Sequence, residues 1–230
     1  MDEKKAVEYL TRAANQGYMK SQIEMARRCE VGQGVDMNTQ QAVRWYSLAA
    51  DQGSDVGQYY LGRAYFQGVG VDRIDQRKGV QYLKQSADQG NPLALFSLGR
   101  MHQDGAGGCP KDENLGLSLL LQACSRGDSF TLCYVAGMFF EGRLGVSKNV
   151  HEGIRLLKLA ADAGYGDALL QLANLYLSGE GVAQDYTRAM QYYRLGKGED
   201  EDGLVARKEA EYARLVAESF NGPSVSETAA

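Results

Sequence analysis

Two histidines and four cysteines are the side chains best equipped for metal binding or nucleophilic chemistry in this chain of 230 residues. His102 and His151 stand in no His-Glu-x-x-His frame, and Cys29, Cys109, Cys124 and Cys133 form no Cys-x-x-Cys pair. No metal site is therefore expected. Ser-x-x-Lys and Lys-Thr-Gly do not occur, which leaves serine acylation without its parts. Gly68-Val69-Gly70 has the look of a phosphate cradle. It follows a helical pattern rather than a strand and recurs along the chain, so a structural role is expected and no cofactor is implied.

The elements that would position any site come from a repeat. Gly17, Gly53, Gly90, Gly127 and Gly164 stand 36, 37, 37 and 37 residues apart, and each is followed 15 residues later by Gly32, Gly68, Gly105, Gly142 or Gly179. A period of this length marks stacked units that cannot bury their apolar faces alone. Between paired glycines the apolar residues fall at helical spacing, and each glycine suits the left-handed position that ends a helix.

In the first helix of each unit a large residue (Met25, Leu61, Leu98, Val135, Leu172) precedes a small one (Ala26, Gly62, Gly99, Ala136, Ala173). That pairing allows a neighbouring helix to approach closely. Cys29, Tyr65, His102, Phe139 and Tyr176 follow on the same face, so His102 is expected to be a packing residue. His151, just before a second helix, is expected to be solvated. In the second helix small residues recur at Ala6, Ala42, Gly79, Gly116, Gly153 and Ala189, followed by bulky pairs such as Trp45-Tyr46 and Leu156-Leu157.

The series Leu-Gly, Gly-x-Gly-Val, Ala-x-x-Trp-Tyr and Ala-Ala-x-x-Gly resembles the Sel-one-like repeat family, relatives of tetratricopeptide repeats with a longer interhelical loop. The resemblance runs from Asp2 to about Tyr193 and implies an all-α fold, a right-handed α/α solenoid. It gives a partial repeat over 1–17 (a second helix alone) and repeats over 18–53, 54–90, 91–127 and 128–164. A degenerate repeat over 165–200, a capping helix over 201–220 and a flexible tail over 221–230 complete it. The cap rests on Leu204, Val205, Tyr212, Leu215 and Val216, which share one face after the acidic run Glu199-Asp200-Glu201-Asp202. The loops after Gly105 and Gly142 depart from the family pattern by one extra residue and are expected to bulge.

Cysteine-rich relatives join a cysteine that ends a second helix to one eight residues on. Cys124 fits the first position, but Cys133 stands nine residues away, and one extra residue turns a helix by about 100°. Free thiols in a reducing compartment are the expected state, with a Cys124–Cys133 bridge the alternative.

In tetratricopeptide-like arrays the first helices line the concave side. Carried over, Ile23, Tyr59, Phe96, Cys133 and Leu170 point inward, as do Arg27, Arg63, Arg100, Gly137 and Asn174. Arg27, Arg63 and Arg100 would form a ladder able to grip carboxylates, with Tyr59, Phe66, Phe96 and Phe140 as aromatic anchors. The implied function is a non-enzymatic scaffold or adaptor, bacterial in origin, that holds another protein or an acidic peptide segment in its concave groove: a secretion- or virulence-related adaptor, or an immunity protein to a toxic effector. The alternative is a cell-wall-directed hydrolase of the cysteine-rich, β-lactamase-like type.

Bulk composition narrows the range of partners. The net charge of −4 and pI near 5.3 argue against a nucleic-acid partner. No apolar run reaches the roughly 20 residues of a membrane span. A cytoplasmic location is expected for the chain as it stands, and a periplasmic or secreted one if an export signal has been removed.

Overall fold

The structure, a computed structural model, describes residues 3–197 together with Arg207, Ala210 and Arg214. Among them every regular element is helical: α1 (Glu3–Asn15), α2 (Met19–Val31), α3 (Thr39–Asp51), α4 (Asp55–Gln67), α5 (Gln76–Asp88), α6 (Pro92–Asp104), α7 (Glu113–Ser125), α8 (Ser129–Glu141), α9 (Val150–Asp162), α10 (Gly166–Ser178) and α11 (Tyr186–Lys197). The fold is an all-α solenoid of helical hairpins. The described residues divide into two compact units, the first ending at Thr131 and the second starting at Leu132.

The ends of these helices follow from local chemistry. Gly68, at φ 77°, ends α4 and returns its N–H to the Ala64 carbonyl. A residue with a Cβ would be disfavoured there by about 1–2 kcal/mol. From α3 onward each second helix begins at an Asn or Asp whose side chain accepts a backbone N–H three residues on: Asn38 from Gln41, Asp75 from Lys78, Asp112 from Leu115, Asn149 from Glu152 and Asp185 from Arg188. The same five residues donate their own N–H to the carbonyls of Cys29, Tyr65, His102, Phe139 and Tyr176. Every long loop is thus tied to the helix it left and to the helix it enters.

Helix pairs close on small residues. Ala26 and Ala42 are buried between α2 and α3. At the α4–α5 crossing both positions are glycine: a Cβ on Gly62 would lie 2.9 Å from the Gly79 carbonyl oxygen, and one on Gly79 would lie 2.8 Å from that of Gly62. Gly99 and Gly116 repeat this in α6 and α7, at 3.0 and 2.8 Å. Around these contacts the first unit buries Met25, Cys29, Trp45 and Tyr46 in one cluster, and Tyr59, Leu83, Leu98 and Met101 in another. In the second unit Ala173, Met190 and Tyr193 pack together.

Polar bonds and loop glycines add to this packing. Within the α4–α5 hairpin the Ser86 hydroxyl donates to the Asp55 carbonyl at 2.7 Å and Gln89 to Gln58 at 2.7 Å, while the amide of Asn91, which starts α6, ties the next hairpin to the Asp55 carboxylate at 2.9 Å. In three of the loops the second glycine sits against the hairpin before it. Gly70 meets Thr39 and Val43, Gly107 meets Phe66 and Val80, and Gly181 meets Val150 and Ile154.

Three loops rather than two carry the extra residue. Loops 68–75, 105–112 and 142–149 are each one residue longer than 32–38 and 179–185. The Gly-Val-Gly-Val start of the 68–75 loop hides its insertion, which lies further along. In the 142–149 loop Leu144 holds the left-handed position, at φ 56°, that Gly34, Gly70, Gly107 and Gly181 occupy in the other four.

His102 is buried, with Nδ1 3.1 Å from the Pro110 carbonyl oxygen, and His151 is exposed. None of the four cysteines is in a disulfide. Burial pushes the Cys133 thiol up to about 11. The capping helix expected at 201–220, with Leu204, Val205, Tyr212, Leu215 and Val216, and the tail after it lie outside the described residues.

Candidate functional site

Helices α4 and α6 are the first helices of adjacent repeats, and the space between them forms a recess of about 260 Å³. Residues 59, 63 and 66 fall on one face of α4 because i, i+4 and i+7 share a helical stripe. Ser97, Arg100 and Asp104 do the same on α6. Tyr59, Arg63, Phe66 and Arg100 line the recess, and Leu83, Met101 and Ala106 supply apolar wall.

Arg63 is held in place before any ligand arrives. Its guanidinium carbon lies 5.8 Å from the ring centroids of both Tyr59 and Tyr60, within the range of cation–π attraction. Tyr59 is buried, which raises its phenol pKa, and Arg63 and Ser97 beside the oxygen oppose that rise. Arg100 donates to Asp104 at 3.3 Å across one helical turn, with both side chains about half exposed. An exposed pair of this kind holds weakly and can exchange for another carboxylate. Phe66 is half-buried under the next loop, where Gly107 leaves it room: a Cβ there would come within 2.7 Å of the ring.

Four of the seven residues singled out from the sequence thus surround one recess. The other three lie elsewhere. Arg27 is exposed on α2. Phe96 packs edge-on against Phe130, with centroids 5.1 Å apart. Phe140 belongs to the second unit, where its ring covers Gly153, whose absent Cβ would lie 2.8 Å away. Ser97, Met101, Asp104 and Ala106 were not anticipated as lining residues. Ser97 and Asp104 were legible as the i−3 and i+4 neighbours of Arg100 on α6. Ala106 had no sequence signal, because it enters through a loop whose course depends on tertiary packing.

Among the described residues no group of His, Cys, Asp or Glu is placed to hold a metal ion, and no helix is long and apolar enough to cross a membrane. Tandem helical hairpins closed on small residues, with loops returning onto the preceding hairpin, define a repeat protein of the α/α solenoid class. The chain belongs to the Sel1 repeat family, whose repeat matches residues 2–18, 20–54, 55–91, 92–128, 131–165 and 166–196. Sel1 repeat proteins typically mediate protein–protein interaction and are generally non-enzymatic.

Similar solved structures include a protective antigen of uropathogenic Escherichia coli with an SLR fold. It is 26% identical with a TM-score of 0.73, and the match covers 96% of this chain and 46% of the antigen. The chain therefore spans about half the length of that protein. A Sel1 repeat protein from Oxalobacter formigenes is 26% identical, with a TM-score of 0.68 over 85% of this chain and 77% of its own. An immunity protein from Pseudomonas aeruginosa is 22% identical, with a TM-score of 0.62 over 83% of this chain and 72% of its own, which is a likeness of fold. No curated protein matches the sequence.

Proposed function

We propose that this chain is a bacterial, non-enzymatic interaction scaffold that holds a protein partner through a carboxylate-bearing segment, with the recess between α4 and α6 as the docking point. The observation that carries it is the convergence of Arg63 and Arg100 on an aromatic-walled recess. Guanidinium groups recognise carboxylates bidentately, and a pre-positioned one loses less freedom on binding. Arg27, Phe96 and Phe140 stand outside this recess and have no assigned part in it.

Within this class an adaptor or an immunity protein that blocks a toxic effector fits best. The support is the shared fold with bacterial repeat proteins, two of them named immunity proteins from Pseudomonas aeruginosa. The test is Arg63→Glu combined with Arg100→Glu, measured against a fluorescent acidic peptide and against whole partner captured from the native source. Each lost charge-assisted contact is worth about 1.5–3 kcal/mol, so affinity should fall by roughly 100-fold or more. Unchanged binding to both probes rejects the recess as the docking point.

A further inference from the structure

We propose that the recess reads a pair of partner residues rather than an acidic run: one large apolar side chain enters between Tyr59, Phe66 and Met101, and a single carboxylate beside it engages Arg63 and Arg100. The inference rests on the docking point proposed above and adds the chemistry of what docks. Three features lead to it.

Size comes first. At about 260 Å³ the recess falls below the roughly 300–1,000 Å³ usual for small-molecule and cofactor sites. One aromatic or long aliphatic side chain suits that space. The walls come next. Tyr59, Phe66, Leu83, Met101 and Ala106 present apolar surface that an acidic segment alone would leave unfilled. Met101 adds an unbranched, adaptable chain that fits several apolar shapes.

Charge decides the rest. The rim holds two cations, Arg63 and Arg100, and one anion, Asp104, which already takes a bond from Arg100. One incoming carboxylate is matched by this set. A second or third brings a carboxylate against Asp104, and like charges at a docking rim select against the wrong partner.

The experiment is fluorescence anisotropy on the full chain in about 0.1 M salt, where screening acts over roughly 10 Å. Three labelled peptides of equal length are compared: one with Phe-Glu in a Ser/Gly background, one with three consecutive Glu, and one with Phe-Gln. Phe-Glu should bind at least about 10-fold tighter than either of the others, one hot-spot contact being worth that factor. Ser97→Leu narrows the recess from α6 and should weaken Phe-Glu by about 10-fold while leaving the Glu run unchanged. Asp104→Asn should strengthen the Glu run more than Phe-Glu. If Ser97→Leu reduces the helical circular dichroism, Ala106→Leu narrows the same space from the loop.

A Glu run that binds as tightly as Phe-Glu and ignores the narrowing variants overturns the paired motif while leaving Arg63 and Arg100 as the docking point. Phe-Gln equal to Phe-Glu overturns the carboxylate's part. Failure of all three peptides to bind removes both proposals together.

Discussion

Replacing Gly62 by alanine probes the close crossing of α4 and α5. The added methyl would stand 2.9 Å from the Gly79 carbonyl oxygen, 2.9 Å from Leu83 Cγ and 3.1 Å from the Leu83 amide nitrogen. Two of these neighbours are backbone, and Leu83 is buried, so relief requires the helices to part. Overpacking of this kind costs about 2–3 kcal/mol, against a gain of about 1 kcal/mol for alanine over glycine in a helix. A net loss of about 1–2 kcal/mol follows. At roughly 2–4 °C per kcal/mol for a chain of this size, the melting temperature should drop by about 2–8 °C.

Gly137 is the control: it lies within α8, and a Cβ there meets nothing within 4 Å. Gly137→Ala should therefore gain about 1 kcal/mol from propensity alone. Urea unfolding followed by circular dichroism at 222 nm measures both variants. Equal stabilisation by the two alanines would refute the close crossing, because the same substitution can differ in sign only if the surroundings differ.

Other expectations concern loops and titration. Asp112→Ala removes the side-chain acceptor for the Leu115 N–H and should cost about 1 kcal/mol, read by the same unfolding assay. Leu144→Gly relieves about 1–2 kcal/mol at the left-handed backbone of φ 56°, loses about 0.4–1 kcal/mol to the freer unfolded chain, and should gain roughly 0.5–1 kcal/mol net. A loss instead would mean that the Leu144 side chain contributes more by packing than its backbone costs. Cys133 holds its proton to about pH 11 in the fold, against 9.0 for an ordinary thiol. Its contribution to stability is therefore complete below pH 9 and disappears as pH rises from 9 to 11. Cys133→Ser should flatten that part of the pH–stability curve, and native-state alkylation of Cys133 at pH 8 should lag behind that of the unfolded chain.

Much of the fold was legible because glycine and small residues act locally. Gly53 and Gly68 mark helix ends through backbone conformation alone, and Gly62 and Gly79 mark a crossing that only hydrogen side chains permit. The row Asn38, Asp75, Asp112, Asn149 and Asp185 was equally visible as a cap signal. The insertion in loop 68–75 was masked by a familiar opening motif.

The site was harder to read, because helical register fixes which residues share a stripe but not which stripes face one another. Arg63 and Arg100 meet across the gap between α4 and α6, whereas Arg27, at the equivalent position of α2, lines no part of it. Phe140 matches Phe66 in repeat position. Its ring covers Gly153, as the Phe66 backbone and Cβ lie close to Gly79, and only the Phe66 ring also reaches the recess. Such differences arise from the packing of neighbouring loops, which one repeat's sequence does not encode.

The most direct measurement is an amide chemical-shift map of the full chain titrated with the Phe-Glu peptide. Perturbations concentrated on Tyr59, Arg63, Phe66, Ser97 and Arg100, and abolished in the Arg63→Glu, Arg100→Glu variant, are the predicted result. Perturbations confined to the second helices α3, α5 and α7, with those five residues unmoved, would contradict it.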